Sequence, residues 1–591
     1  MPVPVIFLRF LIVWFRQRPL CSSLRSAQIA SLTPFVHIIR PMPFAEASPI
    51  HPLEQQRRTN RDTVVALGLN PYGQRVDGLT QLAEAKARFN PEADAAYKLH
   101  EAAAKDAAKA LLAAGGAQAP APAPSAVAFV DTRPRVKVAG RIMLFRDGGK
   151  LIWITLRDST GDLQIAISAR DVSVKAFAMA KATDLGDILV AHGPLMMTKT
   201  GEVTVWCSDA EPACKSLVTP PEKHSGLSDV ELRYRQRYVD MWSNPETVQV
   251  FALRSRIIQS MRESLVALGY LEVETPMLQT LAGGAAARPF VTHMNALNIS
   301  LFMRIAPELY LKRLLVGGLS KVFEINRNFR NEGLDKQHNP EFTMLEAYAA
   351  FGDCRTIMEL TEGLIRDAAK AVAASKGLVY PELPFGDLKI DYGQPFRRVS
   401  YGELFKVNLG CDMTDQAGVL TLAAKHHIKL QPGTHIAIVI NELFERFAEK
   451  TIDPAVPTFI TDYPAAISPL VRPRSDAPHL ADRADLFIGG MEIAPHYTEL
   501  NDPDVQAARF REQLGGIDAD KAAEEKTYRT FDADFIHALK VGMPPAGGMG
   551  LGIDRLVMLL TDQRTIRDVV LFPLMKPEAQ AEAEADEPVS P

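Results

Sequence analysis

The sequence predicts an α+β protein in which a five-stranded β-barrel precedes a larger domain built around an antiparallel β-sheet. Short β-type runs separated by turn signals fill residues 135–208, which predicts the barrel. From residue 245 onward a long amphipathic helix is followed by mixed strand and helix patterns, which predicts the second domain. At 591 residues, 47% of them hydrophobic and 23% charged, the chain is long enough for several cores and has the composition of a globular protein.

Net charge and cysteine content narrow the class of protein. The net charge of −4 gives no global basic signal, so a nucleic-acid partner must be met by local basic patches. The cysteines form no CxxC pair, which disfavours a disulfide framework or a zinc site and is typical of thiols kept reduced in the cytosol. We therefore expect a cytoplasmic protein. The five cysteines are Cys21, Cys207, Cys214, Cys354 and Cys411.

Residues 1–53 are an extension of uncertain status. Residues 3–15 form an apolar run with arginines in and beside it and no acidic residue. A signal anchor, an organelle-targeting presequence and translation from upstream of a true start at Met42 all fit this pattern. Because the run is short for a membrane span and is interrupted by Arg9, a membrane anchor is the least favoured of the three. We expect no membrane partner.

Residues 54–134 predict a helical arm followed by a linker. A helical pattern runs from Glu54 to Phe89, with a break at LGLNPYGQ. The Ala-rich stretch after it predicts a helix that Gly115 and Gly116 end. The sequence APAPAPS then predicts a stiff, extended linker.

Residues 135–222 predict the barrel. Five strand patterns follow one another, and a helix-like stretch, ARDVSVKAFAMAKA, comes after the third. This is the order of a Greek-key barrel that binds oligonucleotides, although another small β-barrel also fits the strand order.

The rest of the chain predicts a hinge at 223–244, an α+β catalytic domain at 245–576 and a tail at 577–591. The hinge is crowded with Arg and Tyr, which predicts a salt-bridged connector. The tail has five acidic residues and no basic one, which predicts disorder.

Two motifs in the second domain carry chemistry. The first is FRNEG, a loop ending in His338 and NPEFTMLE; the second is GGMGLGIDRLVML at 547–559. An arginine stays protonated and can bridge a phosphate and a carboxylate with its planar fork, and glycines let the backbone approach a ligand closely. This ordered set resembles the second and third signature motifs of the class II aminoacyl-tRNA synthetases. The resemblance implies a catalytic domain on an antiparallel sheet, preceded by an OB-fold barrel.

The same resemblance implies how ATP is bound. Arg330 would contact the α-phosphate and the attacking carboxylate, and it would act in catalysis together with Arg555. Glu332 and His338 would bind the adenine amino group and the terminal phosphates. Phe342 and Arg555 would hold the purine between them, by stacking and by cation–π attraction.

Two acidic residues match the positions where this family places ligands for Mg²⁺. They are Asp485 and Glu492, in a stretch between the two motifs. Hard oxygen ligands and few protein contacts suit Mg²⁺, which would offset phosphate charge.

Charge separates the members of this class by substrate, because an aspartate site needs a cation and a lysine site needs carboxylates. RIAPELYLKR, MLEAY and YTELNDP resemble the lysyl-tRNA synthetases. The resemblance implies that Glu308 and Glu499 flank the ε-ammonium of lysine. From the residues alone, these two glutamates could instead pair with Lys312 or a nearby arginine. The other implied lysine-binding residues are Glu346 at the α-amino group, Tyr348 and Tyr497 along the aliphatic stem, and Gly284, which leaves room for the substrate.

In this family the barrel reads the anticodon, so the resemblance implies a role for three barrel residues. Trp153 would stack on a base, where the family usually has Phe, and Gln164 and Glu202 would read base edges. Local basic residues could meet the RNA backbone: Arg135, Arg141, Arg146 and Lys150.

The resemblance as a whole implies a lysine–tRNA ligase. Its substrates would be L-lysine, ATP and tRNA(Lys), and the enzyme would be a homodimer that uses Mg²⁺. Two alternatives stay open: a paralogue that ligates an amino acid to an acceptor other than tRNA, and an inactive RNA-binding regulator that kept the fold.

Four residues depart from the family pattern. Pro495 stands where the family has Asn, and proline offers neither that amide nor a backbone donor, so we expect weaker lysine binding. Asp485 is one methylene shorter than the usual Glu, which puts the Mg²⁺ geometry in doubt. Ala282 replaces a common Pro, and Met294 replaces a His.

Overall fold

The computed structural model describes residues 50–113, 129–221, 226–285, 287–428, 430, 434–520 and 531–577. The chain divides into two units, Met1–Gln55 and Gln56–Pro591. Of the first unit the described residues are 50–55, which include the start of helix α1 (Pro52–Ala66). The predictions for residues 1–49, Gly115 and Gly116, the linker at 119–125 and the tail from residue 578 onward lie outside the described residues. All further elements belong to the second unit.

Two more helices follow α1: α2 (Leu82–Ala87) and α3 (Pro91–Ala113). The structure has a longer break before α2 than the predicted one at LGLNPYGQ. Gly68, Gly73 and Gly78 in this segment all take positive φ angles, which interrupt a helix. Helix α2 lies on the barrel: Leu82 is fully buried in the barrel core, and its N–H donates to the Asp158 carboxylate at 2.9 Å.

The barrel has six strands and one helix. Five strands close a ring in the order β1-β2-β3-β5-β4, because β4 also pairs with β1, and β6 pairs with β4 outside that ring. The elements are β1 (Arg135–Asp147), β2 (Leu151–Asp158), β3 (Gly161–Ser168), α4 (Val174–Lys181), β4 (Ile188–Met197), β5 (Val203–Trp206) and β6 (Asp209–Cys214). The predicted five-stranded barrel with a helix after the third strand is confirmed.

Strand β6 was not predicted. Its sequence, DAEPAC, contains Pro212 and lacks alternating large apolar residues. It is extended because it pairs with β4, with Ala210 opposite Ala191, so its strand character comes from the partner rather than from its own pattern.

The hinge forms two short helices around a buried carboxylate. Asp240 is fully buried and accepts hydrogen bonds from Arg233 Nε at 2.7 Å and Arg237 Nη1 at 2.6 Å. Arg237 also donates to the carbonyl of Leu571, so the hinge is tied to the end of the catalytic domain. The salt-bridged connector is therefore present. Its helices are α5 (Val230–Arg235) and α6 (Arg237–Ser243), followed by the long helix α7 (Pro245–Ala267).

The catalytic domain is built on an eight-stranded sheet. Its order is β15-β16-β17-β18-β19-β12-β11-β7, and all pairings are antiparallel except β7–β11 and β15–β16. Strands β8, β10 and β9 form a separate sheet, and β13 and β14 a hairpin. The strands are β7 (Leu271–Glu272), β8 (Leu278–Gln279), β9 (Val291–Met294), β10 (Ile299–Met303), β11 (Lys321–Phe329), β12 (Glu341–Ala350), β13 (Glu382–Phe385), β14 (Leu388–Asp391), β15 (Arg397–Ser400), β16 (Thr458–Thr461), β17 (Arg483–Ile488), β18 (Met491–Thr498) and β19 (Ala546–Gly552).

The main core of this domain lies between the sheet and three helices. Side chains of α7, α9 and α15 pack with those of β12, β18 and β19 in one cluster, which includes Ile257, Ile365 and Leu556. The remaining helices are α8 (Glu308–Val316), α9 (Cys354–Lys376), α10 (Tyr401–Leu409), α11 (Gln416–Lys425), α12 (Ile436–Leu443), α13 (Pro503–Asp520), α14 (Ala533–Gly542), α15 (Ile553–Thr561) and α16 (Ile566–Val569).

Two sequence expectations concern membranes and thiols. Within the part of the chain that the structure describes, every helix is too short or too polar to cross a bilayer. Cys207, Cys214, Cys354 and Cys411 are free thiols, whereas Cys21 lies outside the described residues.

Candidate active site and RNA-binding surface

One cavity of about 270 Å³ holds all five residues that the sequence assigned to ATP. It lies between the β11–β12 hairpin, strand β18 and the start of α15. The five residues are Arg330, Glu332, His338, Phe342 and Arg555, and Glu492 and Pro495 line the same cavity.

Arg330 follows β11 and lines the cavity. Its N–H donates to the Pro340 carbonyl at 2.8 Å, which closes the loop between the two strands. Its guanidinium lies 5.1 Å from the centre of the Phe342 ring, and Nε has no hydrogen-bond partner among the described residues. Burial lowers the pKa of Arg330, but an arginine remains protonated at neutral pH. A buried guanidinium that lines a cavity is suited to bind an anionic oxygen there.

Arg555, in the first turn of α15, connects the two sides of the cavity. It donates to the Glu492 carbonyl at 2.7 Å, and its Nη2 lies 3.0 Å from His338 Nε2. His338 Nδ1 lies 2.7 Å from Asp335 Oδ2. Because the carboxylate can only accept, Nδ1 carries the proton and Nε2 accepts from Arg555. The cation over Phe342 is Arg330 rather than Arg555, so the purine sandwich between Phe342 and Arg555 stays a prediction.

The predicted lysine-binding glutamates meet around a third residue, Lys312. The Lys312 ammonium lies 2.6 Å from Glu308 Oε1 and 2.5 Å from Glu499 Oε2. Lys312 and Glu499 are 0% exposed, and Glu308 is 6% exposed. The alternative stated from the sequence, an ion pair with Lys312, is therefore present. Two carboxylates and one ammonium leave one net negative charge in the interior, which an alkylammonium could balance.

The pKa values of this group follow from burial and from these charges. Burial acts to lower the pKa of Lys312, but Glu308 and Glu499 outweigh it and the pKa is raised. Burial raises the pKa of Glu499 against the attraction of Lys312, and repulsion from Glu308 adds to the rise. The pocket therefore stabilises an ammonium and disfavours the second carboxylate charge.

Glu346 and the two tyrosines surround this charged group. Glu346, on β12, is buried, and burial followed by the charges of Glu308 and Glu324 raises its pKa to about 8. The Tyr348 hydroxyl lies 3.3 Å from Glu346 Oε2. Burial raises the pKa of Tyr497, on β18, and the nearby charge of Glu308 adds to the rise.

Glycines in two places keep the pocket open. Gly284 takes φ +88°, and a Cβ there would lie 3.2 Å from the Cβ atoms of Ala306 and Glu308. Gly548, on β19, is tighter, because a Cβ there would overlap with Glu499 Oε1 and lie 2.5 Å from the Tyr348 ring. The sequence assigned this glycine-rich strand to nucleotide approach, whereas in the structure Gly548 lies against Glu499 and Tyr348, two of the predicted lysine-binding residues.

The two predicted Mg²⁺ ligands lie on the β17–β18 hairpin. Asp485 is buried and pairs across the strands with Pro495, and both its oxygens accept from Arg483, at 3.0 and 2.6 Å. Glu492 lines the cavity, and desolvation together with the charge of Asp485 raises its pKa. No group of three metal-binding side chains occurs among the described residues. Burial and the nearby Asp485 disfavour the ionised form of Glu492, and a bound cation would stabilise that form. Mg²⁺ suits such a site, because it takes its other ligands from phosphates and water.

On the barrel, Trp153 and Gln164 lie on the outer face of β2 and β3. Ile152 and Ile154, which alternate with Trp153, are buried inside the barrel. Gln164 Oε1 accepts from the Thr204 hydroxyl at 2.9 Å, and Glu202, at the approach to β5, pairs with Lys86 at 3.3 Å.

The basic residues differ in their surroundings. The Arg146 guanidinium lies 5.8 Å from the Trp153 ring, on the same face. Arg141 instead donates to the Gly186 carbonyl at 2.7 Å and lies 5.0 Å from the Trp242 ring. Arg146 thus lies beside Trp153 on the outer face, whereas Arg141 contacts the hinge.

Comparison with known proteins decides the family. The family described as tRNA synthetases class II (D, K and N) matches residues 229–576, and the OB-fold nucleic acid binding domain matches residues 136–213. The chain belongs to the class II tRNA synthetases. Its relatives include the lysine–tRNA ligase of Carboxydothermus hydrogenoformans, 47% identical over 445 residues, which are 75% of this chain and 89% of that protein. The lysine–tRNA ligase of Azoarcus sp. is 48% identical over 447 residues, 75% of this chain and 87% of that protein.

In this class II synthetase the structure brings the residues assigned to ATP into one cavity, and sequence reasoning missed two features of the neighbouring charged group. Lys312 was named only as an alternative partner, although its i,i+4 spacing from Glu308 on a helix was the available signal. The contact of Gly548 with Glu499 had no local signal, because β19 and the end of β18 meet only in the folded sheet.

A methyl group at Gly548 tests the shape of the pocket. We expect Gly548→Ala to displace Glu499 and Tyr348, and displacement of positioning groups by about 1 Å costs about 100-fold in activity. The measurement is the KM for lysine in ATP–pyrophosphate exchange, with the KM for ATP as reference. Gly363→Ala is the matched control, because a Cβ there meets nothing within 4 Å. A lysine KM within about twofold of the control would show that the pocket does not depend on this glycine.

Removal of the Lys312 ammonium tests the charge balance. We expect Lys312→Met to destabilise the protein by about 3–5 kcal/mol, because it leaves two buried carboxylates without their cation. The measurement is the midpoint of thermal unfolding. Lys312→Met combined with Glu499→Gln should recover much of the loss, because it removes the surplus charge as well. Equal losses in the single and double variants would contradict the charge explanation.

Proposed function

We propose that the protein activates L-lysine with ATP and esterifies it to tRNA(Lys). The observation that carries this proposal is the buried group of Glu308, Glu499 and Lys312, whose net negative charge complements one more alkylammonium. An aspartate or an asparagine side chain would leave that charge unbalanced, at a cost of several kcal/mol.

The first step is attack by the lysine carboxylate on the α-phosphorus of ATP. A bond forms between the carboxylate oxygen and phosphorus, the bond to the bridging oxygen breaks, and pyrophosphate leaves. No general base is needed, because the attacking carboxylate is already ionised. Arg330, which lines the cavity, would hold the carboxylate and the α-phosphate together, while Arg555 and His338 would hold the nucleotide. Catalysis is then positioning and electrostatic stabilisation.

Asp485 and Glu492 would hold Mg²⁺, which when bound would offset the charge of the phosphates. Glu346 would bind the α-ammonium. Its raised pKa of about 8 follows from burial beside other acids, and an ammonium next to it would favour the ionised form.

The second step transfers lysine to RNA. A terminal hydroxyl of the tRNA attacks the carbonyl carbon of the adenylate, an ester forms and AMP leaves. The barrel supports tRNA as the acceptor over a protein or a lipid, because Trp153 and Gln164 present a stacking ring and a polar group on one outer face. The complete cavity around Arg330 and Arg555 supports an active enzyme over an inactive regulator.

We propose in addition that the enzyme acts in the cytoplasm as a homodimer. Large apolar side chains are exposed on β7, β8 and β9, including Leu271 at 52%, Leu278 at 51% and Val291 at 57%. A partner subunit that covers this part of the chain would remove them from water. The free thiols fit a reducing compartment.

Exchange of pyrophosphate into ATP across a panel of amino acids tests this function. We expect lysine to support exchange, and aspartate and asparagine to fail because they cannot balance the buried charge. Arg330→Gln should lower the exchange about 100-fold, which controls for contaminating enzyme. Charging of tRNA(Lys) is the second measurement. Exchange without charging would favour the paralogue, and exchange that ignores lysine would refute the proposal.

A substitution at Pro495 tests whether this proline weakens lysine binding. Pro495 lines the cavity opposite Asp485, and it offers no donor there. We expect Pro495→Asn to lower the KM for lysine by about five- to tenfold, the value of one hydrogen bond of about 1 kcal/mol. Pro495→Ala is the control, because it restores the backbone N–H without the amide. An unchanged lysine KM in the Asn variant would contradict this expectation.

A further inference from the structure

We propose that Trp206 and Trp153 form a two-ring surface that binds two neighbouring unpaired bases of single-stranded RNA. Trp206 was not among the residues assigned from the sequence. The inference rests on the proposed function of the barrel in tRNA binding, and it adds a second base and a second residue to it.

The strand register places the two tryptophans on one row. Arg146 on β1 is opposite Trp153 on β2, Trp153 is opposite Ala166 on β3, and Ala166 is opposite Trp206 on β5. Residues opposite one another in a sheet lie on the same face, so all four side chains share the outer face of the barrel. The next row on that face holds Gln164 and Thr204.

The small residue in the middle of the row lets the two rings meet. Ala166 is fully buried, and because its side chain is only a methyl group, the rings of Trp153 and Trp206 have room above it. The ring centres of Trp153 and Trp206 are 6.2 Å apart, and their planes are 78° to each other. Both tryptophans are only half-buried, so each still presents surface to solvent.

The orientation of Trp206 is set by a hydrogen bond. Its Nε1–H donates to Asp171 Oδ2 at 3.0 Å, and Asp171 in turn pairs with Arg170 at 2.8 Å. A ring that is already oriented loses little freedom when a base stacks on it. The indole ring of Trp206 is therefore already oriented for stacking before a base binds.

The angle between the rings defines the ligand. A single base can stack flat on one of two nearly perpendicular rings but not on both. Two bases held by these rings would lie in different planes, so they could not stay stacked on each other as in a duplex. The surface therefore fits unpaired, splayed nucleotides. Arg146, 5.8 Å from the Trp153 ring, has no carboxylate partner among the described residues and is placed to meet a phosphate.

Two apolar variants, both of which lose the hydrogen bond to Asp171, separate stacking from packing. Trp206→Phe keeps an aromatic face, and Trp206→Leu keeps apolar bulk without one. We expect Trp206→Leu to raise the KM for tRNA(Lys) in charging by about 5- to 150-fold, the effect of losing one stacked base, while Trp206→Phe retains most of the affinity. Lysine-dependent pyrophosphate exchange should be unchanged in both, because the barrel takes no part in activation.

Controls distinguish this inference from the function on which it rests. Tyr238→Ala removes an aromatic side chain that is 64% exposed outside the barrel. Trp153→Leu tests the proposed role of the barrel itself. If Trp153→Leu raises the tRNA KM and Trp206→Leu does no more than Tyr238→Ala, this inference is wrong and the function stands. If neither tryptophan variant changes the tRNA KM, the proposed RNA-binding role of the barrel fails.

The double variant tests the number of bases. If two bases are held, the double variant Trp153→Leu, Trp206→Leu should bind tRNA more weakly than either single variant, although contact between the two rings keeps the two losses from multiplying in full. A double variant no weaker than Trp153→Leu alone would mean that one base contacts both rings, which would overturn the two-base surface. Binding of a hairpin RNA with the lysine anticodon in its loop should exceed binding of a fully paired duplex, because the surface fits unpaired nucleotides, and equal binding of the two would contradict the proposal.

Discussion

The active site depends on an ammonium held between two carboxylates away from water. Lys312, Glu308 and Glu499 come from a helix and from the end of a distant strand, and none of them reaches solvent appreciably. Burying such charges costs several kcal/mol for each ion, and the cost is offset only where partners are close and fixed. The elements that bring Glu499 to Lys312 must therefore hold these two residues in a fixed relative position.

The central sheet supplies that constraint. Strand β19 lies between β12 and β18, and its glycines let Tyr348 and Glu499 close over it from either side. A second buried pair holds the neighbouring strand: Arg304 Nη1 lies 2.6 Å from Glu324 Oε1, and Arg304 also donates to the Arg327 carbonyl. The segment before α8 and strand β11 are thereby joined, which fixes the position of Glu308 relative to the loop that carries Arg330.

The barrel differs from the buried charged group, because the surface proposed to bind RNA must remain exposed to solvent. Alternation along β2 sends Ile152 and Ile154 into the core and leaves Trp153 outside. The same alternation on β5 leaves Trp206 on that outer face, next to the buried Ala166. The interior packing thus sets which side chains the outer surface presents.

The sequence by itself determined the α+β class, the barrel, the family and a set of five side chains that the structure brings into one cavity. It could do so because periodic patterns and the ordered set from Arg330 to Arg555 are local or linear features. It did not determine strand β6, which is extended only through its partner, or the contact of Gly548 with Glu499. It left open whether Glu308 and Glu499 pair with Lys312, and it did not bring Trp206 beside Trp153. Those depend on distances between residues far apart in the chain, and only the tertiary structure decides which of several possible partners a charge or a ring meets.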